Sequence, residues 1–223
     1  MTTKTWQQLE ADANAHLANG EIGKAAHLLI DAIDLAPKEA GLYRQLVQVA
    51  LLAGGTDTAV KAATELRQLE PTNPEAGYLL AVASMAHGDF GLAESTLEAV
   101  AKQAPRSWQI KQAQAQVARA LKKDGRARQV LEEAIALAPT EPSVVNDYAV
   151  LLLEIDESTR AKDLLVQAVA AHPDDAGLHL NLALTYGKLK DVAKAKHHAE
   201  RAQTGDADVR EQAARLLAQL SPQ

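Results

Sequence analysis

An all-α fold, built as a solenoid of stacked antiparallel helical hairpins, is predicted by three features of this 223-residue chain. The first is a period. The segment Arg126–Pro139, RARQVLEEAIALAP, has four further versions, and the closing prolines, Pro37, Pro71, Pro105, Pro139 and Pro173, stand 34 residues apart. A sustained period of that length marks an array in which each unit buries its apolar face only against its neighbours. The second feature is a composition rich in alanine, leucine and charged residues with 3% aromatics, which favours helices in close contact. The third is a pair of small-residue columns. Ala25, Ala59, Ala93, Ala127, Ala161 and Ala195 share one position of the period; Ala13, Ala81, Ala115, Ala149 and Ala183 share another, with Val47 the exception. Small side chains there let paired helices approach, and larger ones would overpack by about 1–3 kcal/mol per site.

Counting back from the prolines gives a short tail, 1–5, and six units: 6–39, 40–73, 74–107, 108–141, 142–175 and 176–209. Each holds two amphipathic stretches around a turn. In the first four units the turns read Asn19-Gly20-Glu21, Ala53-Gly54-Gly55, His87-Gly88-Asp89 and Lys123-Asp124-Gly125, where glycine accepts left-handed backbone angles. The fifth has Asp156-Glu157-Ser158 instead, and the sixth closes on Gly205-Asp206-Ala207 rather than a proline. Between units, proline stops the second helix and Asn73, Ser107 or Asp175 can cap the next. Pro74 and Pro142 fall in first turns, where a missing N–H costs nothing. The first helix of the fourth unit carries Lys111 and Gln114, so Trp108, Ile110, Val117 and Leu121 must anchor it. Two further apolar columns, Leu29 to Ala199 and Ala32 to Ala202, fill the layer between hairpins. Over 210–223, Ala213, Leu216, Leu217 and Leu220 share a face with Val209, opposite Arg210, Gln212, Arg215 and Gln219, as an end cap requires. Asp12, Asn14 and His16 thin the apolar pattern at the other end.

This arrangement resembles the tetratricopeptide repeat family over essentially residues 6–209, as six repeats plus a C-terminal capping helix. The resemblance implies a right-handed superhelix whose first helices line a concave groove holding a peptide or helix of a partner protein. Carried over by column, the groove would take Arg44, Gln48 and Leu51 from the second unit and Tyr78, Val82 and Met85 from the third. Gln112, Gln116 and Arg119 follow in the fourth, Asn146, Val150 and Leu153 in the fifth, and Asn181 and Leu184 in the sixth. Apolar stretches would flank a polar centre, which suits an amphipathic helix or an extended segment with an acidic or amide-rich middle. The plainer alternative is that Val82, Val150 and Leu184 merely pack first helices together. One branch of the family clamps chaperone tail carboxylates with lysine, asparagine and arginine. Here those positions read Glu10, Asn14, Gln45, Glu75 and Leu79, of which Asn14 alone matches; in the last units only Asn181 and Arg215 fit. Without the cations the charge-assisted bonds are lost, which argues against that specialisation.

Charge narrows the partners. The net −6 divides into −7 over 1–101, +7 over 102–128 and −6 over the remainder. In a hairpin, Lys102 and Arg106 lie about 20 Å from Lys122, Lys123 and Arg126, beyond a Debye length of about 8 Å. A continuous nucleic-acid groove is not expected. No cysteine is present, which excludes disulfides and thiolate zinc sites. The N-terminus lacks the apolar core of a signal peptide, and no apolar run reaches the roughly 18 residues of a membrane span. A cytoplasmic protein is the expectation.

Seven histidines raise the question of a metal. His197 and His198 diverge by about 100° on a helix, so they read as a solvated face rather than a ligand pair. His16 and His179 read as partly buried packing residues, and His172 only precedes the closing proline. No nucleophile–base–orienter set and no phosphate-binding loop can be assembled. The sequence therefore predicts a non-enzymatic scaffold or adaptor without metal or cofactor, binding a protein or peptide segment. The alternative is a structural subunit that self-assembles through its edges or ends, and homo-oligomers are compatible with either.

Overall fold

The computed structural model describes residues 4–220, which hold thirteen α-helices and no strand. The first six are α1 (Trp6–Ala18), α2 (Ile22–Leu35), α3 (Ala40–Leu52), α4 (Thr56–Leu69), α5 (Pro74–His87) and α6 (Phe90–Gln103). Then follow α7 (Trp108–Ala120), α8 (Asp124–Leu137), α9 (Pro142–Glu154), α10 (Ser158–Ala171), α11 (Ala176–Lys188), α12 (Val192–Ala202) and α13 (Ala207–Leu220). Parts of the expected tail and end cap, residues 1–3 and 221–223, lie outside the described residues. Thr5 of that tail is the N-cap of α1, in a reciprocal capping box with Gln8. The last helix starts at Ala207, so the sixth segment, drawn to 209, ends inside it.

Local chemistry sets the helix ends. Asn73 accepts from the Glu75 amide at 2.9 Å, Ser107 from Ile110 at 3.3 Å and Asp175 from Leu178 at 2.8 Å. Pro74 and Pro142 open α5 and α9. Every hairpin turn places one residue in the left-handed region, and these residues are themselves 34 apart: Gly20, Gly54, Gly88, Lys122, Asp156 and Lys190. This corrects the fourth turn. Lys122 takes the left-handed angle (φ 58°), whereas Gly125 is helical within the first turn of α8.

The chain divides into two compact units. Unit 1 runs to Pro105 and takes in 116–122; unit 2 holds 106–115 and everything from Lys123. In unit 1 the core is Ala13, Ala25, Leu29, Val47, Ala59 and Leu66, each 0% exposed, with their neighbours. In unit 2 the same columns supply Ala149, Leu165 and Ala168 at 0%, joined by Val145 and Leu178, also at 0%. The alanine columns are thus fully enclosed, because each faces the partner helix of its own hairpin. One glycine performs the same service: a Cβ at Gly77 would stand 2.3 Å from Cγ2 of the buried Val100, so only hydrogen fits between α5 and α6. In the first helix of the fourth hairpin, Ile110 and Val117 are buried while Trp108 and Leu121 are half-buried, and Lys111 is held in an ion pair with Glu133.

Candidate partner-binding faces

In unit 1 the relevant side chains come from α3 and α5. Arg44 is already engaged: it donates to Glu70 at 2.8 Å and its Nε lies 3.2 Å from Glu75. Gln48 is exposed and Leu51 half-buried. On α5, Tyr78, Val82 and Met85 are half-buried along one side, and burial pushes the Tyr78 phenol above its ordinary value. Of the two residues from the end of α7, Gln116 is exposed and Arg119 half-buried, and both have interaction partners.

Unit 2 is organised by polar rungs between successive first helices. Gln112 donates to Asp147 at 2.9 Å, and Asn181 donates to Asn146 at 2.8 Å. The Lys188 ammonium reaches the Leu153 carbonyl. Each rung spans 35 residues, one more than the period, since neighbouring first helices meet slightly out of step. Gln112, Asn146 and Asn181 are therefore half-buried and tied to neighbouring chain, not standing free in a polar patch. Beside the Asn146–Asn181 rung, Val150 is half-buried and Leu184 is 36% exposed, whereas Leu153, at 9%, is buried and belongs to the packing. The amide of Asn146 also lies 3.1 Å from where a Cβ of Gly177 would be, so a larger residue in the first turn of α11 would press on this rung.

Two further groups stand out, and the first departs from expectation. His198 is not part of a solvated face. Its ring stacks on Tyr186 and on the buried His179, and the two Nδ1 atoms are 2.9 Å apart. His179 Nε2 lies 2.9 Å from the Pro173 carbonyl and donates to it. Burial first, then the neighbouring imidazoles and Arg201, press His198 down to about 4. His197 does remain exposed. Among the described residues no group of three or more histidines or carboxylates is placed to hold a metal ion. The second group joins Tyr148, Glu132, Arg128, Glu157 and Arg160. Tyr148 donates to Glu132 at 2.8 Å, Arg160 donates to Glu157 at 2.7 Å, and Arg128 lies 2.8 Å from Glu157. Burial and the Glu132 bond push the Tyr148 phenol up to about 12. Arg128 and Lys111, two cations of the basic stretch, are thus spent on internal pairs.

Hairpins of near-constant length, enclosed small-residue columns and a recurrent left-handed turn define a helical-repeat solenoid. Tetratricopeptide repeat models match residues 11–74, 50–117 and 89–214, the last over more than half of the chain, and the chain belongs to that family. No curated protein matches the sequence. Among solved structures, a tetratricopeptide repeat protein from Parabacteroides merdae is similar at 15% identity and TM-score 0.75, covering 96% of this chain and 84% of that one. PilF of Pseudomonas aeruginosa is similar at 16% identity and TM-score 0.71, covering 94% and 97%. A chain of the APC/C Cut9–Hcn1 hetero-tetramer is similar at 16% identity and TM-score 0.74; the match covers 96% of this chain but only 43% of that one. At such identities the likeness establishes the fold. Members of the family generally act as non-catalytic protein–protein interaction scaffolds. No helix of the described residues is long and apolar enough to cross a membrane.

Proposed function

We propose that the chain is a non-enzymatic cytoplasmic adaptor that holds a helix or extended segment of a partner protein, not nucleic acid, against the exposed faces of its first helices. One observation carries this reading. Successive first helices in unit 2 are locked side by side by the Asn146–Asn181 rung, and the apolar side chains next to that rung, Val150 and Leu184, are left only partly covered. Tyr78, Val82 and Met85 offer a comparable strip on unit 1. The amides that remain on the rungs can bond the backbone of a bound segment while the apolar side chains receive its anchors. Similar structures include a chain from a hetero-tetramer and a type IV pilus biogenesis factor, in keeping with a role in assemblies.

The test is a capture experiment on native lysate with the wild type and a Val82→Glu, Val150→Glu variant of equal helicity by circular dichroism. A partner retained by the wild type and lost from the variant is the expected outcome. Equal retention by both would remove the first-helix faces from consideration.

A further inference from the structure

Unit 1 carries a second surface feature on another side of α3. Between α2 and α4 lies an open trough of about 560 Å³. Ile30 and Ile33 line one wall, Thr58, Ala62 and Glu65 the other, and Tyr43 forms part of the floor. Ile30 remains 40% exposed.

The repeat supplies its own controls. Three periods later, between α8 and α10 over α9, Leu46 is replaced by Tyr148, Thr58 by Arg160 and Ala62 by Leu164, and the space shrinks to about 280 Å³. Arg160 there lies over the Tyr148 ring, 5.8 Å from its centroid. Four periods later, between α10 and α12 over α11, Tyr43 becomes His179, Thr58 becomes Lys194 and Ala62 becomes His198. The correspondence extends to hydrogen bonds: Tyr43 donates to the Pro37 carbonyl at 3.1 Å as His179 does to Pro173. His198 stacks on His179 and Tyr186 there, and the Lys194 ammonium stands 5.1 Å from the Tyr186 ring centroid. In both places within unit 2 the second helix thus provides a bulky side chain and a cation over a tyrosine. Unit 1 provides Thr58 and Ala62, which are neither.

Its rim has the charge to receive what is missing. Glu65 and Asp34 both act on Tyr43, whose phenol is raised by burial, then by Glu65, then by Asp34. Neither carboxylate has a hydrogen bond or ion pair among the described residues. Glu65 and Lys61 line the trough, and Asp34 follows the lining residue Ile33 on α2 and adds a further negative charge near Tyr43.

We propose that the α2–α3–α4 trough docks an amphipathic helix of a partner protein whose aliphatic face is flanked by lysine or arginine. Aliphatic side chains take the place that Leu164 and His198 fill in unit 2, and a basic side chain takes the place of Arg160 and Lys194. The site is separate from the first-helix faces and does not depend on them.

The test uses the full chain and a fluorescein-labelled helical peptide of about 18 residues, with leucines at i, i+3, i+4 and i+7 and flanking lysines. Fluorescence anisotropy should show saturable binding with a Kd on the order of micromolar. Thr58→Arg with Ala62→Leu, which installs the residues found at 160 and 164, should weaken it by about tenfold or more. Asp34→Asn with Glu65→Gln, which alters only exposed groups and so leaves the fold intact, should weaken it several-fold and flatten its salt dependence. A Val82→Glu, Val150→Glu protein should bind unchanged, so failure here is distinguishable from failure of the first-helix faces. No saturable binding, undiminished affinity in the filled or neutralised variants, or equal binding of a glutamate-flanked peptide would overturn the proposal. So would sedimentation showing that the wild type self-associates and the filled variant does not, which would make a second copy the occupant.

Discussion

The α2–α4 trough of unit 1 and its counterpart between α8 and α10 of unit 2 are built by one repeat rule, yet larger side chains leave the second about half the space of the first, about 280 against about 560 Å³. The difference lies in a few outer positions. Columns facing the paired helix or the adjoining hairpin are fully buried in every repeat: Ala59 and Ala161 are both at 0%, as are Leu29 and Leu131. Positions such as 50, 58 and 62 lie outside those columns and change freely, to Leu152, Arg160 and Leu164. Inner columns define the hairpin stack; outer columns decide whether a groove is packed shut or left open to a ligand.

The largest effect should come from removing packing where unit 2 has narrowed its groove. Leu152 is 1% exposed, and its counterpart in unit 1 is Ala50. Leu152→Ala should destabilise by about 2–5 kcal/mol, read from urea unfolding. A cost near zero would mean that unit 2 does not rely on the narrowed groove. Next, Arg160→Thr with Leu164→Ala copies unit 1's outer residues into unit 2. With Leu164 half-buried and Arg160 part of an exposed network, the expected loss is about 1–3 kcal/mol. If open space alone makes a docking site, this variant also gains a second binding event for the basic peptide. If Asp34 and Glu65 are required as well, it does not, since positions 136 and 167 are Ala136 and Gln167.

A third prediction concerns the histidine-filled groove. His198 of α12 faces His179 and Tyr186 of α11, with His197, Lys194 and Arg201 beside it on its own helix. Its folded value is about 4 against an ordinary 6.5, so the unfolded chain takes up the proton first as pH falls. Stability contributed here is complete above 6.5 and declines as pH falls from 6.5 towards about 4. For a half-buried ring, screened by solvent, the expected loss is about 1–2 kcal/mol. Amide hydrogen exchange of α11 and α12 at neutral and acidic pH measures it, and His198→Leu, which resembles Leu164, should flatten the dependence. An unchanged slope in that variant would assign the effect to other groups.

How much of this was legible follows from what the period reveals and what it does not. The helix pairs and enclosed columns could be read because burial repeats every 34 residues, and alanine at Ala25 or Ala195 has one dominant reason to recur. The rungs pair residues 35 apart, outside the 34-residue period, so the sequence pattern shows Asn146 and Asn181 only as groove amides and not that Asn181 donates to Asn146. Arg44 likewise looked available, although Glu70 and Glu75 hold it. The His179–His198 stack joins residues 19 apart on two helices, and histidine identity alone cannot show that. A comparison by period would have placed them at the Tyr43 and Ala62 positions, on one groove.

The turns carry the same lesson at the smallest energy. Glycine marks the left-handed residue at Gly20, Gly54 and Gly88 but not at Gly125, because the requirement belongs to the position and not to the residue. Lys122, Asp156 and Lys190 meet it with side chains, at φ 58°, 60° and 64°. A non-glycine residue there costs about 1–2 kcal/mol, part of which glycine gives back by loosening the unfolded chain. Lys190→Gly should therefore stabilise by about 0.5–1 kcal/mol in urea unfolding. Gly54→Lys should lose a similar amount, since nothing lies within 4 Å of a Cβ at Gly54 and the penalty is conformational alone. If both substitutions were neutral, the left-handed turn would contribute no strain, and the change from glycine to lysine along the chain would have no energetic meaning.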